Sequence, residues 1–394
     1  MASSPARASK AREDLTSAVP AGRVAPAAAT QDPPAPAISP VDLEGVRERV
    51  DRALASLVER RRDQLDFLEG DAPPLLAALS ETVLGPGKRL RPAFVYWGYR
   101  AAGGEPHGPG AERAIGAGCA VELLHACALT CDDVMDGSRT RRGRPAAHVR
   151  FAGLHRRERW RGDPEGFGRS VATLLGLLLS GWAEQAVVEA GVPAERLPEV
   201  LGLLDLLRTE AIGGQYLDVV QARRGVAGES EVRRAVTFKT AKYTVERPLH
   251  LGLAIAGGGR LREALSAYAL PLGEAFQLRD DLLGAFGDPA VTGKPFGQDL
   301  REGKQTWLLL RARRLAEPAA RELIDRSVGQ PWLRGERLDE VCALLVECGA
   351  LAECERRIAG LVAEALAALD AAAPPAPARA ALTALAWYAT GRWR

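Results

Sequence analysis

The stretch AIGAGCAVELLHACALTCDDVMD, residues 114–136, is apolar for most of its length and ends in three carboxylates, Asp132, Asp133 and Asp136. Read as a helix, it places Asp132 and Asp136 at i and i+4, on one face. His125 stands two turns before Asp132 on the same stripe. Two acids side by side at the end of an apolar segment repel each other unless a cation lies between them. Carboxylate oxygens are hard ligands suited to Mg²⁺, which keeps several waters and commonly takes phosphate oxygens as well. Taken alone, the motif is equally a solvated helix end.

Around this stretch, from Pro40 onward, Ala, Leu, Arg and Glu dominate, and apolar residues recur at helical spacing, as in Val50, Ala53, Leu54 and Leu57. Breakers cut the body into helices at Gly85–Gly87, Gly103–Gly110, Gly162–Gly168 and Gly257–Gly259. An irregular loop is expected over Gly287–Asp299, and AAAPPAPA near residues 371–378 separates a final short helix. No internal period points to a solenoid. The expected fold is all-α, a single large helical bundle around a central apolar cavity, over residues 41–394. Residues 1–40, rich in Ala, Pro and Ser, read as a disordered tail.

Composition narrows the function. Lys and Arg number 52 against 50 Asp and Glu, a net +2, with a pI near 8.2 and mean hydropathy −0.10. Nucleic-acid binders concentrate uncompensated basic charge, so nucleic acid is disfavoured as a partner. The longest apolar stretch, Val171–Ala183, reads as too short to span a bilayer, and the N-terminal residues lack the apolar core of a signal peptide, so no transmembrane segment and a cytoplasmic location are expected. Six cysteines without a CxxC pair read as reduced, mostly buried thiols. Lysines are sparse: Lys10, Lys88, Lys239, Lys242, Lys294 and Lys304. Where Arg carries the general surface charge, a retained Lys points to a need for a compact ammonium.

A second acidic pair, Asp280 and Asp281, follows the apolar segment YALPLGEAFQLR, with Gln277 one turn before it. Two acid-tipped apolar helices can face one another across a cavity and hold metal against one polyphosphate. The cationic complement is present. GPGKRLRP sets Lys88 and Arg91 at i, i+3 after a glycine-rich breaker, where free N–H groups of a helix start favour an anion. RTRRGRP, read as a basic loop, adds Arg139, Arg141, Arg142 and Arg144; neighbouring arginines can grip different phosphates. Lys239 and Thr240 lie in VTFKTAKYTVERP, and Lys294 and Lys304 flank the loop after the second acidic pair. Lys242 reads as an ordinary surface charge.

In this order, GKRLRP, ELLHACALTCDDVMD, RRGRP, GGQYLD, FKTAKYT and FQLRDDLLGAFGDPAVTGKPFGQDLREGKQT, the chain resembles the trans-isoprenyl diphosphate synthase (polyprenyl synthetase) family over roughly residues 80–310. The resemblance implies an all-helical, usually homodimeric enzyme that joins an allylic diphosphate (dimethylallyl, geranyl or farnesyl) to isopentenyl diphosphate with Mg²⁺. It implies Asp132, Asp136 and Asp280 as metal ligands, supported by Asp133, Asp281 and Asp299. Lys88, Arg91, His125 and Arg142 then correspond to the isopentenyl diphosphate seat. Arg141, Lys239, Thr240, Gln277, Lys294 and Lys304 correspond to allylic contacts, with Asp132, Asp136, Asp280 and Lys239 carrying catalysis. Gln215 and Asp218 fall in a further family motif.

Two positions depart from the family pattern. GLLLSGWAE has Leu177 where the family commonly has Asp, and the second acidic motif ends in Gly284. Small residues at Cys127 and Ala128, one turn before Asp132, leave the cavity floor open and imply a twenty-carbon geranylgeranyl product, with Leu124 or a neighbouring helix as the alternative stop. The rival products are farnesyl or longer polyprenyl diphosphates. A class I terpene cyclase would show an NDxxSxxxE motif, which is absent, and needs no isopentenyl seat; Leu177 is the one feature pointing to a weakly active or non-catalytic partner subunit. Arg392 and Arg394 in the terminal GRWR read as solvated charge.

Overall fold

A computed structural model of the chain describes residues 39–225, 227–289 and 295–391. The expected tail (residues 1–40, of which 1–38 are not described), Lys294, Arg392 and Arg394 lie outside these residues. Sixteen α-helices are described. They begin with α1 (Val46–Arg62), α2 (Ala72–Leu84), α3 (Leu90–Ala101), α4 (Pro109–Met135), α5 (Ala147–Arg157), α6 (Pro164–Glu189), α7 (Leu197–Arg224), α8 (Glu229–Val236), α9 (Arg247–Ala256) and α10 (Arg262–Phe286). There follow α11 (Gln298–Glu302), α12 (Trp307–Leu315), α13 (Pro318–Ser327), α14 (Glu336–Glu347), α15 (Ala350–Ala372) and α16 (Ala376–Thr390). The fold is the expected all-α bundle. Among the described residues its one departure is a two-stranded antiparallel ribbon, β1 (Thr140–Arg141) with β2 (Arg144–Pro145).

The core forms around α4, which packs on α6, α3, α1 and α9. This helix is buried on nearly every side, as its uniformly small and apolar residues require. Trp97, Tyr96 and Phe94 of α3, Leu123 of α4, Leu175 and Leu179 of α6, and Tyr268 of α10 are its largest buried groups. A second cluster, from α12, α14 and α15, covers the far side of α10.

By length and composition α4 and α6 could each cross a membrane, which corrects the reading that no segment is long enough. Their apolarity has another use in this structure: 67% of the apolar window of α4 and 44% of that of α6 are buried within the bundle. Cys119, Cys342 and Cys354 are buried, the other three cysteines partly so, and all six are free thiols.

Breakers act where expected at Gly85–Gly87, Gly103–Gly110 and Gly257–Gly259. GDPEGFG behaves differently, because Asp163 caps α6 by accepting from the Glu165 and Gly166 amides at 3.0 and 2.8 Å, and the rest of the motif is the first helical turn.

Candidate active site

Both acidic motifs sit at the C-terminal ends of long helices, where the helix dipole disfavours negative charge. At the end of α4, Asp132 and Asp133 are met by Arg141, whose Nε lies 2.9 Å from Asp133 Oδ1 and whose terminal nitrogen lies 3.3 Å from Asp132 Oδ2. Gln215 of α7 donates to Asp132 Oδ1 at 3.2 Å. Lys304, just after α11, lies 3.2 Å from Asp136 Oδ2, 2.9 Å from Glu302 and 3.5 Å from Asp299. Burial holds the Asp136 and Asp133 carboxyls above the usual range, against the pull of Lys304 and Arg141 respectively.

At the end of α10 the buried Asp281 accepts from Gln277 Nε2 at 2.7 Å, and Gln277 accepts from the Thr240 hydroxyl. Burial, with Asp299, Asp218 and Asp280 nearby, pushes the Asp281 carboxyl well up. Asp299 fills the place of the side chain that Gly284 lacks: a Cβ at Gly284 would stand 1.9 Å from Asp299 Oδ2. The carboxylate missing from the second motif is thus matched by one arriving from α11.

Lys239 and Thr240 are carried by a π-helical segment, Thr237–Glu246, that joins α8 to α9 without a break. Such wide turns are rare and concentrate at functional sites. Glycines admit it on both sides. A Cβ at Gly214 of α7 would lie 2.1 Å from the Lys239 amide nitrogen, and one at Gly273 of α10 would lie 2.3 Å from Ala241 Cα. Backbone therefore touches backbone, and Lys239 is delivered to Asp218 with Nζ to Oδ2 at 2.5 Å. The GGQYLD motif acquires three functions here: Gly214 for approach, Gln215 for Asp132 and Asp218 for Lys239.

Across the cavity lies the cationic group. Arg91 stacks its guanidinium 4.5 Å from the Tyr243 ring centre and donates to Thr244 at 2.9 Å, while the Tyr243 hydroxyl is 3.4 Å from His125 Nδ1. Lys88 Nζ sits 5.5 Å from the ring of Tyr388 of α16. Arg142 and Gly143, both at positive φ (52° and 73°), form the tight turn of the ribbon and send adjacent arginines apart. Arg141 goes to the acids and Arg142 toward Gly87 and the cations. Burial, then Arg91 and Arg142, press His125 well below its ordinary value, and burial with Arg89, Arg141 and Arg91 lowers Arg142. Positive charge gathered in this way, with Arg91 and Arg142 acting on one another, favours an anion. The middle residue of GKRLRP is spent elsewhere: Arg89 is buried and tied to Glu122 at 2.6 Å and Asp51 at 2.7 Å.

One cavity of about 1130 Å³ joins these groups, lined by Lys88, Arg91, His125, Asp132, Arg141, Arg142, Lys239, Thr240, Gln277, Asp280, Asp281, Asp299 and Lys304. Its apolar lining includes Leu124, Cys127, Ala128 and Leu207. Lys242 corrects the sequence reading. Rather than a surface charge it is largely buried, 2.9 Å from Glu246 and 3.5 Å from Glu210, in a network with Arg247 behind the cavity. Tyr243 and Thr244 were not singled out from sequence; their place in FKTAKYT, a turn beyond Lys239, is the signal that could have found them.

Among the described residues no three His, Cys, Asp or Glu side chains converge as a ready-made metal cage. Mg²⁺ needs none, since it keeps its waters and takes one or two carboxylates plus phosphate oxygens. Crowded carboxyls pushed up at two helix C-termini are a donor set of that kind.

The family model for polyprenyl synthetase matches residues 73–345. A short chain isoprenyl diphosphate synthase of Methanothermobacter thermautotrophicus is 32% identical over 273 residues, 69% of this chain and 76% of that protein. A geranylgeranyl diphosphate synthase of Sulfolobus acidocaldarius is 30% identical, over 69% and 77%. Among solved structures, geranylgeranyl pyrophosphate synthase from Corynebacterium glutamicum, complexed with isoprenyl diphosphate and magnesium, superposes with a TM-score of 0.85 at 39% identity, covering 90% of this chain and all of that one.

Proposed function

Since the chain belongs to the polyprenyl synthetase family and is a prenyltransferase that makes polyprenyl diphosphates, we propose that it joins isopentenyl diphosphate head-to-tail to an allylic diphosphate with Mg²⁺ and releases a twenty-carbon product. The observation that supports this reading is the division of one cavity into an acid-rich side, with Asp132, Asp280 and Asp281, and a mainly cationic side, with Lys88, Arg91 and Arg142. Asp132, Asp136 and Asp280 would hold Mg²⁺, supported by Asp133, Asp281 and Asp299. Held there, Mg²⁺ would supply positive charge against the departing diphosphate.

Arg141, Lys239 and Lys304 orient the allylic diphosphate, and Thr240 and Gln277 fix the wall beside it. Lys88, Arg91, His125 and Arg142 bind isopentenyl diphosphate, with His125 neutral and able to donate one hydrogen bond. The apolar wall keeps water from the allylic cation while the isopentenyl double bond attacks it, and the diphosphate takes the released proton. Holding both substrates together supplies much of the remaining acceleration.

Small Cys127 and Ala128 leave the wall open below the acids, which supports the twenty-carbon length. On α6 and α7, Leu174, Leu177, Ile212 and Tyr216 are each more than 60% exposed, and the last three also line the cavity, a face suited to a second copy and so to a homodimer. The location that goes with these soluble-phase substrates is the cytoplasm. The test incubates purified protein with isopentenyl diphosphate and dimethylallyl, geranyl or farnesyl diphosphate, with and without Mg²⁺, and resolves products by chromatography. A metal-dependent twenty-carbon diphosphate is expected; no condensation with any starter would sink the reading.

A further inference from the structure

The apolar part of the cavity must end somewhere, and the residues expected to end it are small. Below Asp132, the α4 side of the wall is Ala128 and Cys127 one turn down and Leu124 two turns down, about 12 Å by helical rise. Neither Ala128 nor Cys127 projects far enough to block a growing chain. On α7, Gln215 is level with Asp132 through their hydrogen bond, and the wall descends from it through Ile212 and Ala211 to Arg208 and Leu207.

Among the described residues, Arg208 is the one charged side chain on the cavity-lining stretch of α7 before Gln215. Its guanidinium is tied down on two sides. One terminal nitrogen donates to Glu184 of α6 at 2.6 Å, and the other donates to Asp205 of α7 at 2.7 Å. The ion pair to Glu184 spans from α7 to α6, so a polar bar joins the two helices on their solvent-exposed side beside the apolar lining, with Glu184 51% and Asp205 64% exposed. A hydrocarbon tail advancing past it must detach a guanidinium from two carboxylates and offers no hydrogen bond in return. Leu207 and Leu124 present only apolar surface, which a tail wets without penalty.

We infer that Arg208, latched to Glu184 and Asp205, is the stop that sets product length in this chain. The inference rests on the condensing activity proposed above. It assigns to a charged residue of α7 the limit that sequence reading sought next to the first acidic motif. Because the guanidinium is half-buried and hinged on a flexible stem, the stop is a yielding one. The wild-type product is expected to be mainly one length with a longer minor species.

The test is product-length analysis of the full-length protein supplied with farnesyl diphosphate and isopentenyl diphosphate, comparing wild type with Arg208→Ala and Glu184→Ala. Arg208→Ala should raise the ratio of products beyond twenty carbons to the twenty-carbon product about tenfold or more, a change of about 1.4 kcal/mol in partition. Total isopentenyl incorporation should stay within about twofold of wild type, since Arg208 touches neither acidic motif. Glu184→Ala keeps the arginine but releases its hold on α6, and should shift the same ratio in the same direction by less. An unchanged length distribution in soluble, active Arg208→Ala overturns the inference. Should Arg208→Ala not fold, an unchanged distribution in Glu184→Ala overturns it equally. A wild-type protein that makes no product refutes the condensing activity instead, and the stop with it.

Discussion

Two dense groups of charge lie within this bundle, on opposite sides of the π-helical segment, and they are balanced in opposite ways. Behind the cavity, Glu210, Glu246, Lys242 and Arg247 are two acids and two bases in direct contact, with Arg247 held by both oxygens of Glu210 at 2.7 and 2.8 Å. Arg247 is held above its ordinary value by Glu210, and Glu246 is kept below the carboxylate range by Lys242 and its neighbours despite burial. In front, Asp132 and Asp133 meet Arg141, Asp136 and Asp299 meet Lys304, and further cations stand across the cavity. The rear group is complete in itself and serves stability. The front group opens on the cavity, and burial keeps its Asp133, Asp136 and Asp281 carboxyls pushed up.

Neutralising the front group should therefore cost activity and spare the fold. Asp136→Asn is expected to lower turnover by roughly three orders of magnitude. Urea unfolding without ligand should show the variant no less stable than wild type, because the carboxyl it removes is already held above its usual range. Loss of stability on the scale of a broken buried pair would erase the contrast.

The rear group should behave in the opposite sense. Glu210→Ala leaves Arg247 and Lys242 to share Glu246 alone in a nearly closed site and should lower unfolding free energy by about 3 kcal/mol, measured by denaturant titration. His250 sharpens the same side. Burial, together with Arg247 and Arg262, presses it down to about 4, and its Nε2 meets the Ser266 hydroxyl at 3.0 Å. A depressed histidine is neutral when folded and takes a proton on unfolding, so its contribution is whole above about pH 6.5 and is lost as pH falls toward 4. Its size is at most about 3 kcal/mol. His250→Gln should flatten that part of the stability profile.

Smaller effects belong to the cavity rim. Arg91→Ala removes a charged donor and should raise the KM for isopentenyl diphosphate about tenfold, with less change for the allylic substrate. Leu177→Asp tests the departure from the family pattern. Leu177 is 65% exposed, so the carboxylate should alter the Mg²⁺ concentration for half-maximal rate by no more than about twofold. A large gain on that substitution would mean that the native chain is the weakened partner its sequence hinted at.

The helices, the central cavity and the pairing of two acidic helix ends were legible in the sequence, because apolar periodicity and acid placement are both local properties. Three features were not. The ribbon at residues 140–145 needs Arg142 at positive φ, a conformation that the string RTRRGRP does not announce beyond its glycine. Lys242 reads as surface because its partners, Glu210 and Arg247, come from α7 and α9, and only packing brings them together. Gly284 reads as a missing acid, whereas Asp299 arrives from fifteen residues further along to occupy its place.

The contact of Gly214 and Gly273 with the two sides of the π-helical segment has a consequence for motion. With the Lys239 amide nitrogen and Ala241 Cα pressed between two helices, no solvent layer separates the three backbones. Hydrogen exchange there requires α7, α10 and the segment to separate together, so the amides around Lys239 should be among the slowest in the molecule, exchanging only with its global opening. The ammonium of Lys239 thus rests on a backbone pressed between two helices, and substrate binding has little entropy of that segment left to remove.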